Sequence, residues 1–232
     1  MGCRHCLHDC KPEGMDMTMD ILNDSIRFIK RIGAFSVQVS GGEPTEHPQF
    51  LEIMNTLIKE FGRKRVFVSS NGDFFKDSKY AYRIKKLNVP IQVTNDPRYY
   101  PRQIENLDKS WVYYEEDIRT LTSQGRAINE KPIGKTVISC FNIRSIGCSL
   151  NTQKFSQIVR MMESNNKFCS PLVAPDGGIH LGESILCTSI GNINDTDETL
   201  INNLKNLKCR NCGMVKITAP EYMKRIEKDF TL

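Results

Sequence analysis

The chain has 232 residues, 39% of them hydrophobic and 25% charged, with a formal net charge of +5. These values are typical of a globular protein with one large domain, or one domain and a small appendage, and they exclude low-complexity classes. No apolar run reaches the roughly 20 residues of a membrane span, and the polar, cysteine-rich first residues do not resemble a signal peptide. We therefore expect a cytoplasmic protein with no membrane partner. The scattered positive charges indicate a solvated surface and do not indicate nucleic-acid binding.

The first half of the chain alternates predicted helices and strands. In chain order these are a helix over residues 17–33 that ends at Gly33, a strand over 35–40, a helix over 48–61, a strand over 66–70, a helix over 80–87 and a strand over 90–96. This alternation predicts parallel βα units, in a barrel or an open sheet. Such folds place their chemistry on the loops after the strands, where GGEP, SSNG and TNDP occur here. Each of these is also an ordinary turn sequence when taken alone.

The second half carries weaker signals. We predict a strand over 110–114, a helix or loop over 120–127, a strand over 136–143, a helix over 155–162, a β-hairpin over 169–187 with a Pro-Asp-Gly-Gly turn, and helices over 198–207 and 221–230. The hairpin rests on two β-favouring runs that flank the turn. Arg126 lies in the 120–127 segment, and the simpler interpretation makes it a surface residue.

The nine cysteines are an odd, bunched set, which favours metal or cluster ligands over disulfides in a reducing compartment. Cys3 and Cys6 form a C-x-x-C pair with His5 directly before Cys6. Such a pair suits zinc or an iron–sulfur cluster, and alone it favours zinc. The pair is followed in order by a helix, a strand and Gly-Gly-Glu-Pro. This order shifts the preference from zinc to an iron–sulfur cluster.

In that order, CRHC and SGGEPTEHP resemble the radical-SAM superfamily, and the resemblance covers residues 1–96. The family carries C-x3-C-x2-C after the first strand of a partial (β/α) barrel, with GGE after the second strand. The match makes Cys3 and Cys6 the second and third cysteines, and the first cysteine would lie four residues before Cys3, ahead of Met1. We favour this truncated register, which also leaves out the first barrel strand. The alternative is a variant C-x2-C-x3-C that includes Cys10.

The resemblance implies a [4Fe–4S] cluster held by cysteine thiolates, whose open iron is chelated by S-adenosylmethionine. It implies reductive cleavage of S-adenosylmethionine, with an electron donor such as a flavodoxin or ferredoxin. Gly41 and Gly42 would allow close backbone approach, and Glu43 would accept from the amino group of S-adenosylmethionine. The further candidate cofactor-binding residues are His5, Ser70, Asn71 and Thr94, with Asp96 beside them. Arg126 in SQGRA also resembles an arginine found after the fifth or sixth strand in related enzymes, although a surface arginine is the simpler interpretation.

The C-terminal cysteines form a second group. Cys169, Cys187, Cys209 and Cys212, with a hairpin and a Gly-Asn-Ile segment between them, resemble the SPASM/twitch auxiliary-cluster extension in its single-cluster form. The alternative is a structural zinc site with four thiolates. We interpret Cys140 and Cys148 as small core residues.

The sequence therefore predicts an α/β protein with a partial TIM-like (β/α) barrel that lacks its first strand and a small cysteine-rich C-terminal domain. The expected boundaries are residues 1–135 for the barrel core, 136–166 for the remaining barrel or linker and 167–232 for the auxiliary domain. The expected function is that of a radical-SAM enzyme acting on a peptide, a protein or a small molecule. The alternatives are a truncated non-catalytic remnant and a zinc-binding interaction module.

Overall fold

The computed structural model describes residues 3, 4, 6, 8–96, 108, 110–115, 126, 154–165, 170–182 and 184–206. Four strands form a parallel sheet in the order β1-β2-β3-β4. They are β1 (Val37–Val39), β2 (Val66–Ser70), β3 (Ile91–Thr94) and β4 (Tyr113–Glu115). The predicted strands are confirmed, although β1 is shorter than expected and β4 is shifted toward its C-terminal end. The described strands do not close a barrel, so the partial barrel stays a prediction.

Three helices, one before each of β1, β2 and β3, bury one face each against the sheet. They are α1 (Met19–Ile32), α2 (Phe50–Phe61) and α3 (Ser78–Lys85). All three confirm predicted helices, with ends that differ by up to two residues. Their apolar faces pack with the inward side chains of the sheet into one core, whose most buried members are Phe50, Met54, Val66, Val68, Ile84 and Val93.

Local capping explains where α1 begins and ends. The Thr18 Oγ1 accepts a hydrogen bond from the backbone N–H of Ile21 at 3.3 Å. Gly33 ends the helix with φ 65°, a left-handed conformation that costs glycine little, and its N–H donates to the carbonyls of the last turn. The stop predicted at Gly33 is confirmed.

We expect Thr18→Ala to lower the free energy of unfolding by about 1 kcal/mol, because it leaves one N-terminal donor of α1 without its cap. Urea unfolding followed by circular dichroism measures the change. Thr56→Ala is the matched control, since Thr56 lies inside α2, where alanine favours the helix at least as well as threonine. An equal loss in both variants would show that the cap contributes nothing specific.

The second sheet is antiparallel and belongs to the later part of the chain. It holds β5 (Pro171–Val173), β6 (Gly178–Leu181) and β7 (Ser189–Asn192), and it packs with α4 (Phe155–Asn165) and α5 (Asp197–Lys205). The predicted hairpin is confirmed by β5 and β6, which pair across the turn at residues 174–177. Both helices also confirm predictions.

Helix α1 is shared between the two cores. Its Leu22 and Ile26 pack with the parallel sheet, whereas Phe28 and Ile32 pack with α4, α5 and the antiparallel sheet. Arg31 adds polar contacts, because its Nη2 donates to the Ile193 carbonyl at 3.5 Å and its Nε lies 3.6 Å from Asp197. The two sheets are therefore joined through two different faces of one helix. The predicted domain boundaries stay predictions.

The strand predicted over 136–143 and the helix predicted over 221–230 lie outside the described residues. Of the segment 120–127, the structure describes Arg126. Within the described part of the chain, no helix is both long enough and apolar enough to cross a membrane.

Candidate functional site

The carboxyl ends of β1, β2 and β3 meet at one edge of the parallel sheet. The loop after β1 carries Gly41, Gly42 and Glu43, the loop after β2 begins with Asn71, and β3 ends at Thr94. Ligands of parallel α/β folds bind at this edge. The structure therefore brings the loop residues that the sequence singled out to a common edge.

Glu43 is the centre of the hydrogen bonding at this edge. Its Oε1 accepts from the Thr45 N–H at 3.1 Å, from the Thr45 hydroxyl at 2.6 Å and from the Ser70 hydroxyl at 2.7 Å. Its Oε2 accepts from the Asn71 N–H at 2.6 Å. One carboxylate thus ties the loop after β1 to the end of β2. Tyr80 on α3 reinforces this loop, because its hydroxyl donates to the Thr45 carbonyl at 2.7 Å.

Burial raises the pKa of the Glu43 carboxyl above its ordinary value, and the hydrogen bonds from Asn71, Thr45 and Ser70 act in the opposite direction. A carboxylate offers about four acceptor positions, two on each oxygen. Oε1 already has three donors, whereas Oε2 has one. Oε2 is therefore the oxygen that can accept a further donor from a ligand.

The cysteine loop, residues 3–10, lies against this edge. The Cys6 N–H donates to the Cys3 carbonyl at 3.2 Å, and the Cys10 N–H approaches the Cys6 sulfur at 3.4 Å. Asp9 between them has φ 51°, a left-handed conformation that is uncommon for a residue with a side chain. This turn returns the chain toward Cys6 and thereby brings Cys10 into contact with the Cys6 sulfur.

The thiols of the loop influence one another. The Cys10 thiol donates to the Cys6 sulfur, and this hydrogen bond lowers the pKa of Cys6 and raises that of Cys10. Burial raises the pKa of Cys3, with a smaller contribution from Cys6. Cys6 is therefore the thiol of this loop that most readily ionises. His5 lies outside the described residues, so its predicted role stays a prediction.

The two glycines after β1 present different surroundings. A Cβ on Gly42 would lie 3.6 Å from the Cys10 Cβ and 3.9 Å from the Cys10 sulfur. A Cβ on Gly41 would have no atom of the described residues within 4 Å, and its φ of 147° disfavours other residues. Cys10 of the cysteine loop thus lies beside Gly42, while no atom of the described residues fills the space where a Gly41 side chain would stand.

Of the two interpretations of Arg126, the simpler one, a surface residue, is wrong. Its Nε donates to the Cys3 carbonyl at 2.9 Å, its backbone N–H donates to the Cys6 carbonyl at 3.0 Å, and its Nη1 lies 2.8 Å from Asp9 Oδ1. The Arg126 side chain is 29% exposed. The resemblance noted for SQGRA singles out Arg126, but it does not identify the contact partners, which lie more than 110 positions earlier in the chain.

Asn95 is a second residue that the sequence interpretation missed. It follows Thr94 directly, and its buried Oδ1 has no hydrogen-bond partner among the described residues. Buried acceptors are normally satisfied. The neighbouring Asp96 is fully buried. An acceptor without a partner at this edge suits a ligand that donates a hydroxyl or amino hydrogen. The sequence signal that could have identified Asn95 was its place in the TND segment at the end of β3.

Of the four cysteines predicted for the second site, the structure describes Cys187. Its sulfur would lie 2.4 Å from a Cβ on Gly182, and its carbonyl is 2.7 Å from the His180 Nδ1. Cys169, Cys209 and Cys212 lie outside the described residues, as do Cys140 and Cys148. The loop before Cys187 also contacts the cysteine loop, because the Ile185 N–H donates to the His8 Nδ1 at 3.3 Å.

Among the described residues, no three His, Cys, Asp or Glu side chains are arranged to hold a single metal ion. A four-iron cluster makes a different demand, because each thiolate ligand binds a separate iron and the thiolates need not converge on one point. Neighbouring thiols at Cys3, Cys6 and Cys10 are a chemically suitable donor set for such a cluster.

Comparison with known proteins gives one partial similarity. No protein-family model and no solved structure matches the chain. A curated protein of a Thermoplasmatales archaeon (strain ISO4-H5), named S-adenosylmethionine-dependent nucleotide dehydratase, is 33% identical over 75 residues. The aligned stretch is 32% of this chain and 26% of that protein, so the chain spans about a quarter of the relative's length. The similarity links part of the chain to an S-adenosylmethionine-dependent enzyme.

Proposed function

We propose that this chain is a radical-SAM enzyme whose N-terminal site comprises the cysteine loop and the edge formed by the loops after β1, β2 and β3. The observation that carries the proposal is the position of Cys10 in the cysteine loop beside Gly42, the residue before Glu43. Thiol ligands and a carboxylate that can accept an amino group are thereby adjacent. The partial similarity to an S-adenosylmethionine-dependent enzyme supports the same conclusion. We further propose that the parallel sheet is part of a partial (β/α) barrel.

The described residues have distinct tasks in this proposal. Cys3 and Cys6 supply thiolates in either register, and Glu43 Oε2 accepts from the amino group of S-adenosylmethionine. The backbone at Gly41 allows the methionine part to approach closely. Asn95 Oδ1 accepts from a hydroxyl or amino group of the ligand, which satisfies its buried acceptor. A bound cluster would supply one electron to the sulfonium of S-adenosylmethionine. The resulting reductive cleavage of S-adenosylmethionine would start radical chemistry on a substrate.

We also propose that Cys187, with Cys169, Cys209 and Cys212, holds an auxiliary [4Fe–4S] cluster. Two substrate classes follow from different observations. The SPASM/twitch-like extension favours a peptide or protein, and the name of the archaeal relative favours a nucleotide. A flavodoxin or ferredoxin is the proposed electron donor.

Anaerobic reconstitution of the full chain with iron and sulfide tests the proposal. We expect about four irons per occupied cluster, hence about eight for two clusters. Dithionite is expected to cleave added S-adenosylmethionine, with 5′-deoxyadenosine detected by chromatography. Zinc binding without iron uptake would establish the zinc module instead. Iron uptake without cleavage would establish the non-catalytic remnant.

The two substrate classes are distinguished in the same assay. Each candidate nucleotide or peptide is added separately, and turnover by the correct class increases 5′-deoxyadenosine formation. Mass spectrometry of the nucleotide would show the loss of water if the chain catalyses a dehydration like that named for its relative. Modification of a peptide with unchanged nucleotide would assign the peptide class.

A further inference from the structure

Arg126 holds the backbone of the cysteine loop at three separate carbonyl groups. Its Nε donates to the Cys3 carbonyl at 2.9 Å, its backbone N–H donates to the Cys6 carbonyl at 3.0 Å, and its Nη1 donates to the Cys10 carbonyl at 3.1 Å. These are the three cysteines of the loop. One residue thus contacts the main chain at every position that carries a thiol.

The same guanidinium stabilises the turn between Cys6 and Cys10. Its Nη1 lies 2.8 Å from the Asp9 carboxylate in an ion pair whose side chains are 29% and 38% exposed. Asp9 has the left-handed backbone conformation that returns the chain toward Cys6. The contact therefore holds the residue whose backbone most needs external support.

Among the described residues, most internal contacts of the cysteine loop are hydrogen bonds to sulfur. The Cys6 N–H donates to the Cys3 carbonyl at 3.2 Å, while the Cys10 N–H, at 3.4 Å, the His8 N–H and the Cys10 thiol all donate to the Cys6 sulfur. Hydrogen bonds to sulfur are weak because sulfur is a poor acceptor. Arg126 therefore supplies the stronger N–H to oxygen hydrogen bonds at all three cysteines.

We propose that Arg126 is a positioning residue that fixes the backbone of the cysteine loop in the arrangement that receives an iron–sulfur cluster. This inference rests on the proposed function, but it concerns a residue that binds neither iron nor S-adenosylmethionine in the proposal. The planar guanidinium is essential for this positioning, because its Nε and Nη1 donate hydrogen bonds to different carbonyls in fixed directions. A lysine ammonium keeps the charge but presents its donors at a single point.

Arg126→Ala and Arg126→Lys test the role in the full chain, with Arg65→Ala as the matched control. Arg65 also donates to backbone carbonyls, those of Ala34 and Phe35, but it lies at the opposite end of β2. The first measurement is the rate of iron release to a chelator after anaerobic reconstitution. We expect release at least about 10-fold faster in both Arg126 variants, because changes that disturb the support of ligands commonly cost 10–100-fold. Arg65→Ala is expected to match the wild type.

The second measurement needs no metal. Hydrogen exchange of a peptide covering residues 3–10 in the metal-free full chain should be faster in Arg126→Ala, while peptides from α2 exchange as in the wild type.

The third measurement is chemical rescue, in which millimolar guanidinium slows both loop exchange and iron release in Arg126→Ala but leaves Arg65→Ala unchanged. Rescue distinguishes positioning from a general loss of stability.

Unchanged loop exchange and iron release in both Arg126 variants would overturn the inference. Equal effects in Arg65→Ala and Arg126→Ala would also overturn it, because they would indicate general destabilisation. Should Arg126→Ala fail to fold, Arg126→Lys provides the same comparison. A wild-type chain that takes up no iron would refute the proposed function, and loop exchange in the metal-free chain would still decide the role of Arg126.

Discussion

Cys6→Ala is expected to abolish the N-terminal cluster and to lower the rate of 5′-deoxyadenosine formation by about 100-fold or more. Cys6 is a ligand in both registers of the cysteine motif, and its thiolate would bind one iron of the cluster. Loss of a direct ligand should exceed the 10–100-fold cost of outer-shell changes. Iron analysis and chromatographic detection of 5′-deoxyadenosine measure the effect.

Cys10→Ala is the matched control, because it removes a thiol from the same loop at the contact with Gly42. In the favoured register, Cys10 is not a ligand, so this variant should retain the N-terminal iron and S-adenosylmethionine cleavage. Loss of that iron in Cys10→Ala would refute the register and assign the variant motif C-x2-C-x3-C. Retention of activity in Cys6→Ala would refute the cluster site as a whole.

Glu43→Gln is expected to lower the free energy of unfolding by about 2 kcal/mol, because a buried donor left without an acceptor costs about 1–3 kcal/mol. The carboxylate accepts hydrogen bonds on both oxygens. The amide nitrogen of glutamine accepts none, so in either orientation at least one donor from Thr45, Ser70 or Asn71 loses its partner. A protonated Glu43 is a different case, since its hydroxyl oxygen keeps acceptor capacity.

Urea unfolding at neutral pH measures this change as a lower midpoint with an unchanged slope. Glu46→Gln is the matched control, because Glu46 is an exposed residue three positions later in the same loop. A change within about 0.5 kcal/mol is expected there. In the proposed function, Glu43→Gln also weakens S-adenosylmethionine binding, which equilibrium dialysis of the folded variant would detect. Equal stability of Glu43→Gln and the wild type would contradict the bridging role of the carboxylate.

These predictions differ in how far they could be made from the sequence. Cys6 and Glu43 were identifiable because CRHC and GGEP are local motifs in a recognisable order, and their loops follow predicted elements. The hydrogen-bond partners of Glu43 were only partly accessible, since Ser70 and Asn71 were candidates but Thr45 was not. Register between β1 and β2 decides which of these donors face the carboxylate.

The sequence by itself determined the described helices, the parallel βα alternation up to β3 and the hairpin of β5 and β6. These features depend on contacts between near neighbours, such as the cap at Thr18, the left-handed stop at Gly33 and the turn before β6. Periodicity, capping and turn chemistry act over a few residues, so they can be recognised in a single amino-acid sequence.

Only the tertiary structure decided the contacts of Arg126 with the cysteine loop, the orphaned oxygen of Asn95 and the sharing of α1 between two cores. Each depends on groups distant in sequence that meet after packing. Arg126 is 123 positions from Cys3, and no local propensity relates them. Hydrogen-bond satisfaction is a property of the folded surroundings of an atom, and for that reason these particular contacts became visible only in the fold.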